Sequence, residues 1–279
     1  MCDLVTGSSG FLGEAMSNLS LPETVFVSRN SCSVSNESTT VDLTSVDSIV
    51  ETLKRHKIKR VFHLVGTFSN NFEEDFHANV SLTRNLLEAV LIVDQSIRVL
   101  LVGSAAEYGL IGPDECPVSE DAILKPASVY ALTKVYQTQL MEYYVSKFGL
   151  DIVMARPFNL LGKNCSEKLF VGRLYSQIRQ FKNSEIDVIE LGNLSALRDY
   201  IKVEEAAKHL VKIMDRGISG QIYNVASGVP IKIEDLLTSI LKEENVSSKY
   251  VLTDDKRTNM SDADIIFADI SKLKDLYND

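Results

Sequence analysis

Leu4-Val5-Thr6-Gly7-Ser8-Ser9-Gly10-Phe11-Leu12-Gly13 decides the fold. A short apolar run ends at Val5, a glycine-rich turn follows, and a helical stretch continues to about Asn18. In such a strand–turn–helix unit Gly7 makes the tight turn, Gly10 lets backbone approach a pyrophosphate, and Gly13 allows close helix–strand packing. Phosphates would sit at the helix N-terminus, where free N–H groups and the dipole favour negative charge. An ordinary glycine-rich turn is the competing reading. The position at the first turn of the chain favours the dinucleotide.

The same rhythm continues outward. Thr24–Ser28 reads as a second strand, and Thr40-Val41-Asp42-Leu43 as a short third. Arg60-Val61-Phe62-His63-Leu64-Val65 reads as a buried fourth, Arg98–Gly103 as a fifth and Asp151–Pro157 as a sixth, stopped by its proline. Amphipathic helices to about His56 and over 72–93 and 128–148 separate the later strands. Repeated βα units predict an α/β fold with a doubly wound parallel sheet. After Lys163 the elements shorten and mix, with helices near 169–181, 204–215, 234–243 and 270–277 and strands near 187–191, 198–201, 221–225 and 249–252. The chain therefore divides into a nucleotide-binding domain over 1–162 and a smaller mixed α/β substrate lobe over 163–279, with room for returns of chain to the first.

Composition narrows the partners. A net charge of −9 argues against nucleic acid, which needs a basic footprint. Cys2, Cys32, Cys116 and Cys165 lack metal or redox spacing, and His56, His63, His77 and His209 form no cluster, so no metal is expected. Free thiols and an N-terminus without leader character predict a reducing, cytoplasmic compartment. No apolar run approaches the ~20 residues of a membrane span. Asn30–Thr40 reads as a polar loop.

Candidate site residues fall at the carboxyl ends of the strands, where open α/β sheets bind ligands. Where an acid would hold a ribose 2′-hydroxyl, Ser28-Arg29-Asn30 stands instead, and this favours NADP over NAD. Asp42 could accept from an adenine amino group or cap the helix beginning near Thr44. His63 reads as a core histidine, and Gly66-Thr67 ends the fourth strand at the crevice. Asn79, polar within an apolar helix pattern, faces either the site or solvent. Ser104 ends the fifth strand. Tyr130 and Lys134, four residues apart, share one helix face near its start. An adjacent ammonium is expected to lower the phenol from its reference of about 10, tuning it for proton transfer. Asn159 offers donor and acceptor, and Arg198 and Arg257 are candidate diphosphate or nucleotide ligands.

Taken in order, Thr6–Gly13, His63-Leu-Val-Gly66, Asn79-Val80, Gly103-Ser-Ala-Ala-Glu-Tyr-Gly109, Tyr130-x-x-x-Lys134, Arg156-Pro-Phe-Asn-Leu-Leu-Gly162, Arg198-Asp-Tyr200 and Tyr223-Asn-Val-Ala-Ser-Gly228 resemble the extended short-chain dehydrogenase/reductases that modify nucleotide sugars. The resemblance implies a Rossmann domain and a Ser104/Tyr130/Lys134 triad. In it Tyr130 serves the sugar C4 oxygen, Ser104 hydrogen-bonds that oxygen, and Lys134 binds the nicotinamide ribose. It implies cofactor contacts at Gly7, Ser9, Gly10, Phe11, Leu12, Gly13, Arg29, Asp42, Leu43, Leu64, Val65, Gly66, Tyr130, Lys134 and Pro157. Substrate contacts are expected at Thr67, Ser104, Asn159, Arg198 and Arg257.

Dehydratases of this group carry an acid two positions after the catalytic Ser or Thr. Ala106 stands there and cannot move a proton, and Glu107 would point elsewhere if the segment is extended. The segments look most like NADPH-dependent reductases of GDP- or dTDP-4-keto-6-deoxy sugars, in deoxysugar synthesis for surface polysaccharide. An NAD-retaining 4-epimerase and a non-catalytic nucleotide sensor are the alternatives. The chain stops soon after Tyr277, where relatives often continue, so a trimmed substrate lobe is expected. A homodimer through the helices at 72–93 and 128–148 is also implied.

Overall fold

The computed structural model describes residues 2–28, 39–254 and 264–278. Arg29, Cys32 and Arg257 lie outside them, and so does most of the predicted polar loop. In chain order the first half runs β1 (Cys2–Thr6), α1 (Phe11–Ser17), β2 (Thr24–Ser28), β3 (Thr39–Thr40), α2 (Val46–Arg55), β4 (Ile58–His63), α3 (Phe72–Phe76), α4 (Leu82–Val93), β5 (Arg98–Val102), α5 (Val129–Phe148) and β6 (Ile152–Pro157). The rest is β7 (Asn159–Leu161), α6 (Phe170–Lys182), β8 (Ile189–Leu191), β9 (Leu197–Lys202), α7 (Val203–Arg216), β10 (Ile222–Val225), β11 (Pro230–Lys232), α8 (Ile233–Glu243), β12 (Val251–Thr253), β13 (Ile265–Ile266) and α9 (Ser271–Asp275).

Seven strands form one parallel sheet in the order β10-β6-β5-β4-β1-β2-β3. The order reverses between β1 and β4, so the first turn and the β4 end open on the same crevice, as in doubly wound sheets. Both faces of this sheet are covered, which is why its strands read as apolar runs rather than alternations. One core layer joins β1, β4 and β5 to α2, α4 and α5 through Leu4, Val61, Leu86, Val90, Val99 and Met141. The other joins the opposite face to α1 and α7 through Val5, Met16, Phe62, Leu100, Ala206 and Leu210. Sequence order does not coincide with the spatial layers after residue 162. β10 returns as the edge strand beside β6, with Asn224 opposite Arg156.

The remaining chain builds a second layer over the crevice. β9 pairs in parallel with β7 and β13 and antiparallel with β11, and β8 pairs with β12. Leu174, Ile178, Leu191, Leu237 and Ile240 form its separate core. Asp199, fully buried, ties this layer together. It accepts from the Ser227 and Gly228 amides at 2.8 and 2.9 Å and from the Ser227 hydroxyl at 2.6 Å.

Two local readings need correction, and a third gains a detail. β3 is Thr39–Thr40 only, because Asp42 turns the chain by accepting from the Thr44 amide and hydroxyl. Ser45, not Asp42, caps α2, accepting from the Ser48 amide. The helix predicted over 72–93 runs its full length, but a π-turn over His77–Ser81 lies inside it between α3 and α4. Such turns insert an extra residue and redirect the side chains around them.

Candidate functional site

The β1–α1 turn is close-packed against its surroundings. Gly7 has φ +74°. A Cβ on Gly13 would lie 2.4 Å from Gly7 O and 2.6 Å from Ser8 Cα, so the tight approach is to the turn itself rather than to the strand. Ser9 and Gly10 are exposed at the turn's surface, Phe11 is half-buried, and Leu12 is buried in the core. Leu64 and Val65 back the turn, 3.0 Å from where a Gly7 Cβ would stand. Ser8 is fully buried and its Oγ has no partner, which leaves a hydroxyl beside the turn. Glycines that exclude a Cβ, and an uncommitted hydroxyl, fit the pyrophosphate of a dinucleotide.

At the β4 end the loop Gly66–Asn71 is held from below by the helix that follows it. Asn79, fully buried, accepts from the Thr67 amide at 2.9 Å. Its Nδ2 donates to Thr67 O at 3.1 Å and to Thr133 Oγ1 at 2.9 Å. Asp75, also buried, accepts from the Ser69 and Asn70 amides at 2.8 and 2.9 Å and from the Ser69 hydroxyl. The sequence left Asn79 open between site and solvent, and Asp75 was missed. Its position four residues before Asn79 was the available signal. Gly66 is required here: a Cβ would stand 2.9 Å from Asn79 Oδ1 and 3.2 Å from Lys134 Nζ.

Ser104, Tyr130 and Lys134 converge where β5 ends and α5 begins. Ser128 caps α5, accepting from the Ala131 amide at 3.1 Å, and so starts the helix just before Tyr130. The Tyr130 ring meets Phe68 edge-to-face at 5.0 Å, and Lys134 Nζ lies 6.0 Å from its centroid. Lys134 is 4% exposed and donates to Val102 O at 2.8 Å and to Gln137 Oε1 at 3.0 Å. The expected lowering of the phenol does not occur, because the cost of burying a phenolate outweighs what the ammonium could give. Burial instead pushes Tyr130 up to about 12, the Ser104 hydroxyl pulling the other way and Glu107 and Asp75 adding to the rise. Burial takes Lys134 down to about 8.

After Ser104 the chain is not extended. Ala105–Tyr108 is a single 3-10 turn capped by Ser104, whose Oγ accepts from the Ala106 amide at 3.2 Å. Glu107 points into the core all the same. It accepts from the Ser104 amide at 2.8 Å, the Thr138 hydroxyl at 2.6 Å and Arg156 Nη2 at 2.8 Å. Arg156 is 1% exposed and lies 4.8 Å over the Tyr108 ring. The Tyr108 hydroxyl donates to Asn224 Oδ1 at 2.6 Å, in the core. The two ionisable groups of the turn are thus both committed to buried partners.

The other predicted residues are dispersed around the crevice. His63 ends β4, buried, with Nδ1 2.9 Å from Thr6 Oγ1 and Nε2 without a partner. Burial, then Lys134, brings it down to about 3, so it is neutral at ordinary pH. Pro157 ends β6, buried. Asn159 spends its Nδ2 on Asp199 O at 2.9 Å, joining β7 to β9. Arg198, half-buried on β9, donates to Leu197 O. Asp42 is exposed, and the half-buried Leu43 offers its carbonyl to Asn85. Lys168, from the segment before α6, donates to Phe68 O at 2.9 Å and so ties that segment to the loop after β4. Among the described residues no group of three or more His, Cys, Asp or Glu could hold a metal, and no helix is long and apolar enough to cross a membrane.

Known proteins resemble this chain. The chain is 28% identical to a GDP-6-deoxy-D-mannose reductase of Pseudomonas aeruginosa over 57% of its length, a match spanning about half (53%) of that relative. It is 27% identical to a GDP-6-deoxy-D-talose 4-dehydrogenase of Aggregatibacter actinomycetemcomitans over 97% of this chain and 89% of that one. The structure of RMD from Pseudomonas aeruginosa, complexed with NADPH, superposes with a TM-score of 0.85 at 24% identity, over 99% of this chain and 91% of that one. The two relatives and the cradle described above support an oxidoreductase with a nicotinamide dinucleotide, and the superposition shows that the fold is shared. The model of the NAD dependent epimerase/dehydratase family matches residues 4–226, from β1 through the returning β10, and the chain belongs to that family.

Proposed function

We propose that the protein reduces the C4 keto group of a nucleotide-activated 4-keto-6-deoxy sugar, with NADPH as the reductant. The observation that carries this reading is the turn after Ser104. Ala105 and Ala106 cannot transfer a proton, and Glu107 is spent on Ser104, Thr138 and Arg156. An elimination of water needs an acid or base there, whereas a ketone reduction needs one proton donor at the carbonyl oxygen. Tyr130 suits that role, because a phenol pushed up to about 12 stays protonated at neutral pH and can donate.

The bound nicotinamide would supply the hydride. Tyr130 would protonate the C4 oxygen while Ser104 donates to the same oxygen and stabilises its developing charge. Lys134 would hold the nicotinamide ribose, Gly7–Gly13 with Ser8 the pyrophosphate, and Asp42, Leu43, Leu64, Val65, Gly66 and Pro157 the remaining cofactor surface. Thr67 and Asn159 from the first domain and Arg198 from the lobe after residue 162 would face the nucleotide sugar. Arg29 carries the preference for a 2′-phosphate. The relatives' names support the reaction class. We also assign a homodimer in the cytoplasm, pairing through α4 and α5, whose Ile92 and Tyr143 are exposed apolar residues.

Purified protein incubated with NADPH should oxidise it only when a GDP-, dTDP- or UDP-4-keto-6-deoxy sugar is present, with a 4-hydroxyl formed on the sugar. Interconversion of intact nucleotide hexoses without added cofactor, and no reduction of any keto sugar, would instead establish the 4-epimerase.

A further inference from the structure

An ammonium has three N–H donors, and the protein takes two of those on Lys134, through Val102 O and Gln137 Oε1. Gln137 is fully buried, as is Thr83. Gln137 Nε2 donates to Thr83 Oγ1 at 2.9 Å, and the Thr83 hydroxyl donates to Asn79 O at 2.8 Å. A hydroxyl has one proton. Because Thr83 gives its proton to Asn79 O, its oxygen can only accept from Gln137. The amide is thereby fixed with its nitrogen toward Thr83 and its oxygen toward the ammonium. A flipped amide would oppose donors to donors at Lys134. The bonds run in one direction, from Lys134 through Gln137 and Thr83 to a carbonyl inside the π-turn, and each bond in such a chain polarises the next.

We propose that Gln137 and Thr83 are positioning residues for Lys134. They hold its ammonium in one place and charge state and leave one donor uncommitted for a hydroxyl of the bound dinucleotide. The proposal rests on the reading of Lys134 as the cofactor-holding cation. Other charged and titratable groups act on Lys134 from a distance. Asp75 on α3 and Glu107 after β5 favour its charge, while burial opposes it. His63 on β4 and Tyr130 on α5 are neutral neighbours. Both carboxylates are spent on other partners, Asp75 on the Ser69–Asn70 loop and Glu107 on Ser104, Thr138 and Arg156. Among the described residues, Gln137 is the side chain hydrogen-bonded to the ammonium.

The test is the titration of Lys134 in the free protein. It is followed by NMR with lysine isotopically labelled at the ε carbon and assigned with Lys134→Met. Gln137→Glu should move the Lys134 pKa up by about one unit or more, and Gln137→Leu should move it down. Thr83→Val, which releases the amide, should also move it down, while Thr83→Ser should restore the wild-type value. NADPH affinity should fall roughly tenfold or more in Gln137→Leu and Thr83→Val and recover in Thr83→Ser. Shifts of the same sign in Gln137→Glu and Gln137→Leu, or an unmoved titration in Thr83→Val, would overturn the proposal. If Gln137→Leu does not fold, the Thr83 pair decides. Lys134→Met binding NADPH as wild type does would remove the cofactor role of Lys134 itself, and the proposal with it. A strong loss of binding in Lys134→Met with unmoved titrations in the other variants would remove only the positioning role.

Discussion

Replacing Glu107 by Gln changes one atom in a site with no solvent to compensate. The carboxylate is fully buried, its Arg156 partner is 1% exposed, and their oxygen–nitrogen distance is 2.8 Å. The carboxylate accepts three hydrogen bonds, whereas a glutamine amide offers one acceptor oxygen. If that oxygen stays on the Ser104 amide, the new NH₂ faces the Arg156 guanidinium and Thr138. Nε and Nη1 of Arg156 already lack partners, so the uncompensated cation gains none. Breaking a buried pair from one side typically costs about 3–5 kcal/mol. At roughly 2–4 °C per kcal/mol for a chain of this size class, Tm should fall by about 6–20 °C. Removing both charges, in Glu107→Gln with Arg156→Met, should recover much of the loss, because the orphaned cation is the expensive part. Calorimetry or urea unfolding of the four proteins forms a double-mutant cycle. A Tm for Glu107→Gln within about 2 °C of wild type, or losses that add in the double variant, would refute the reasoning.

Tyr130→Phe should lower kcat by about 10²–10⁴ and change NADPH affinity far less, because the proton donor is lost while the ring keeps its packing on Phe68; unchanged kcat would remove Tyr130 from the chemistry. His63 gives a pH signature. Its folded pKa is lowered from 6.5 to about 3, so below about pH 6.5 the unfolded chain takes a proton the folded chain refuses. This residue should therefore cost up to about 1.4 kcal/mol of stability per pH unit between about pH 6.5 and 3, and nothing above. Urea unfolding of His63→Gln at pH 7 and pH 5 should show a shallower decline than wild type, and parallel declines would contradict the assignment. Gly13→Ala puts a Cβ 2.4 Å from Gly7 O, which forces α1 off its turn. It should cost about 1–3 kcal/mol and weaken dinucleotide binding, and calorimetry with and without NADPH reads both.

How far the site could be read in advance follows from how local its causes are. The Thr6–Gly13 turn, the Ser104 strand end and the Tyr130–Lys134 spacing are patterns within a few residues, so periodicity and turn chemistry reveal them. Gln137 stood three residues after Lys134 on the same helix, a signal within reach. Nothing nearby marked Thr83 as its partner, 54 positions earlier. The same holds for Glu107 and Arg156, 49 apart, where sequence supplied only an expectation that Glu107 would point away from the site.

The sequence alone determined the alternation of strands and helices, and it singled out Tyr130 and Lys134 as the pair on which the proposed proton transfer rests. Tertiary structure decided that β10 returns to the main sheet, that the helix over 72–93 carries a π-turn, and that the Tyr130 phenol rises rather than falls. The physical reason is common to all three. Strand pairing partners, the extra residue of a π-turn and the desolvation of an ionisable group depend on what the folded chain places alongside. In this protein those neighbours come from distant parts of the sequence, Val102, Asn79 and Thr83 around α5 and Arg156 beside β10.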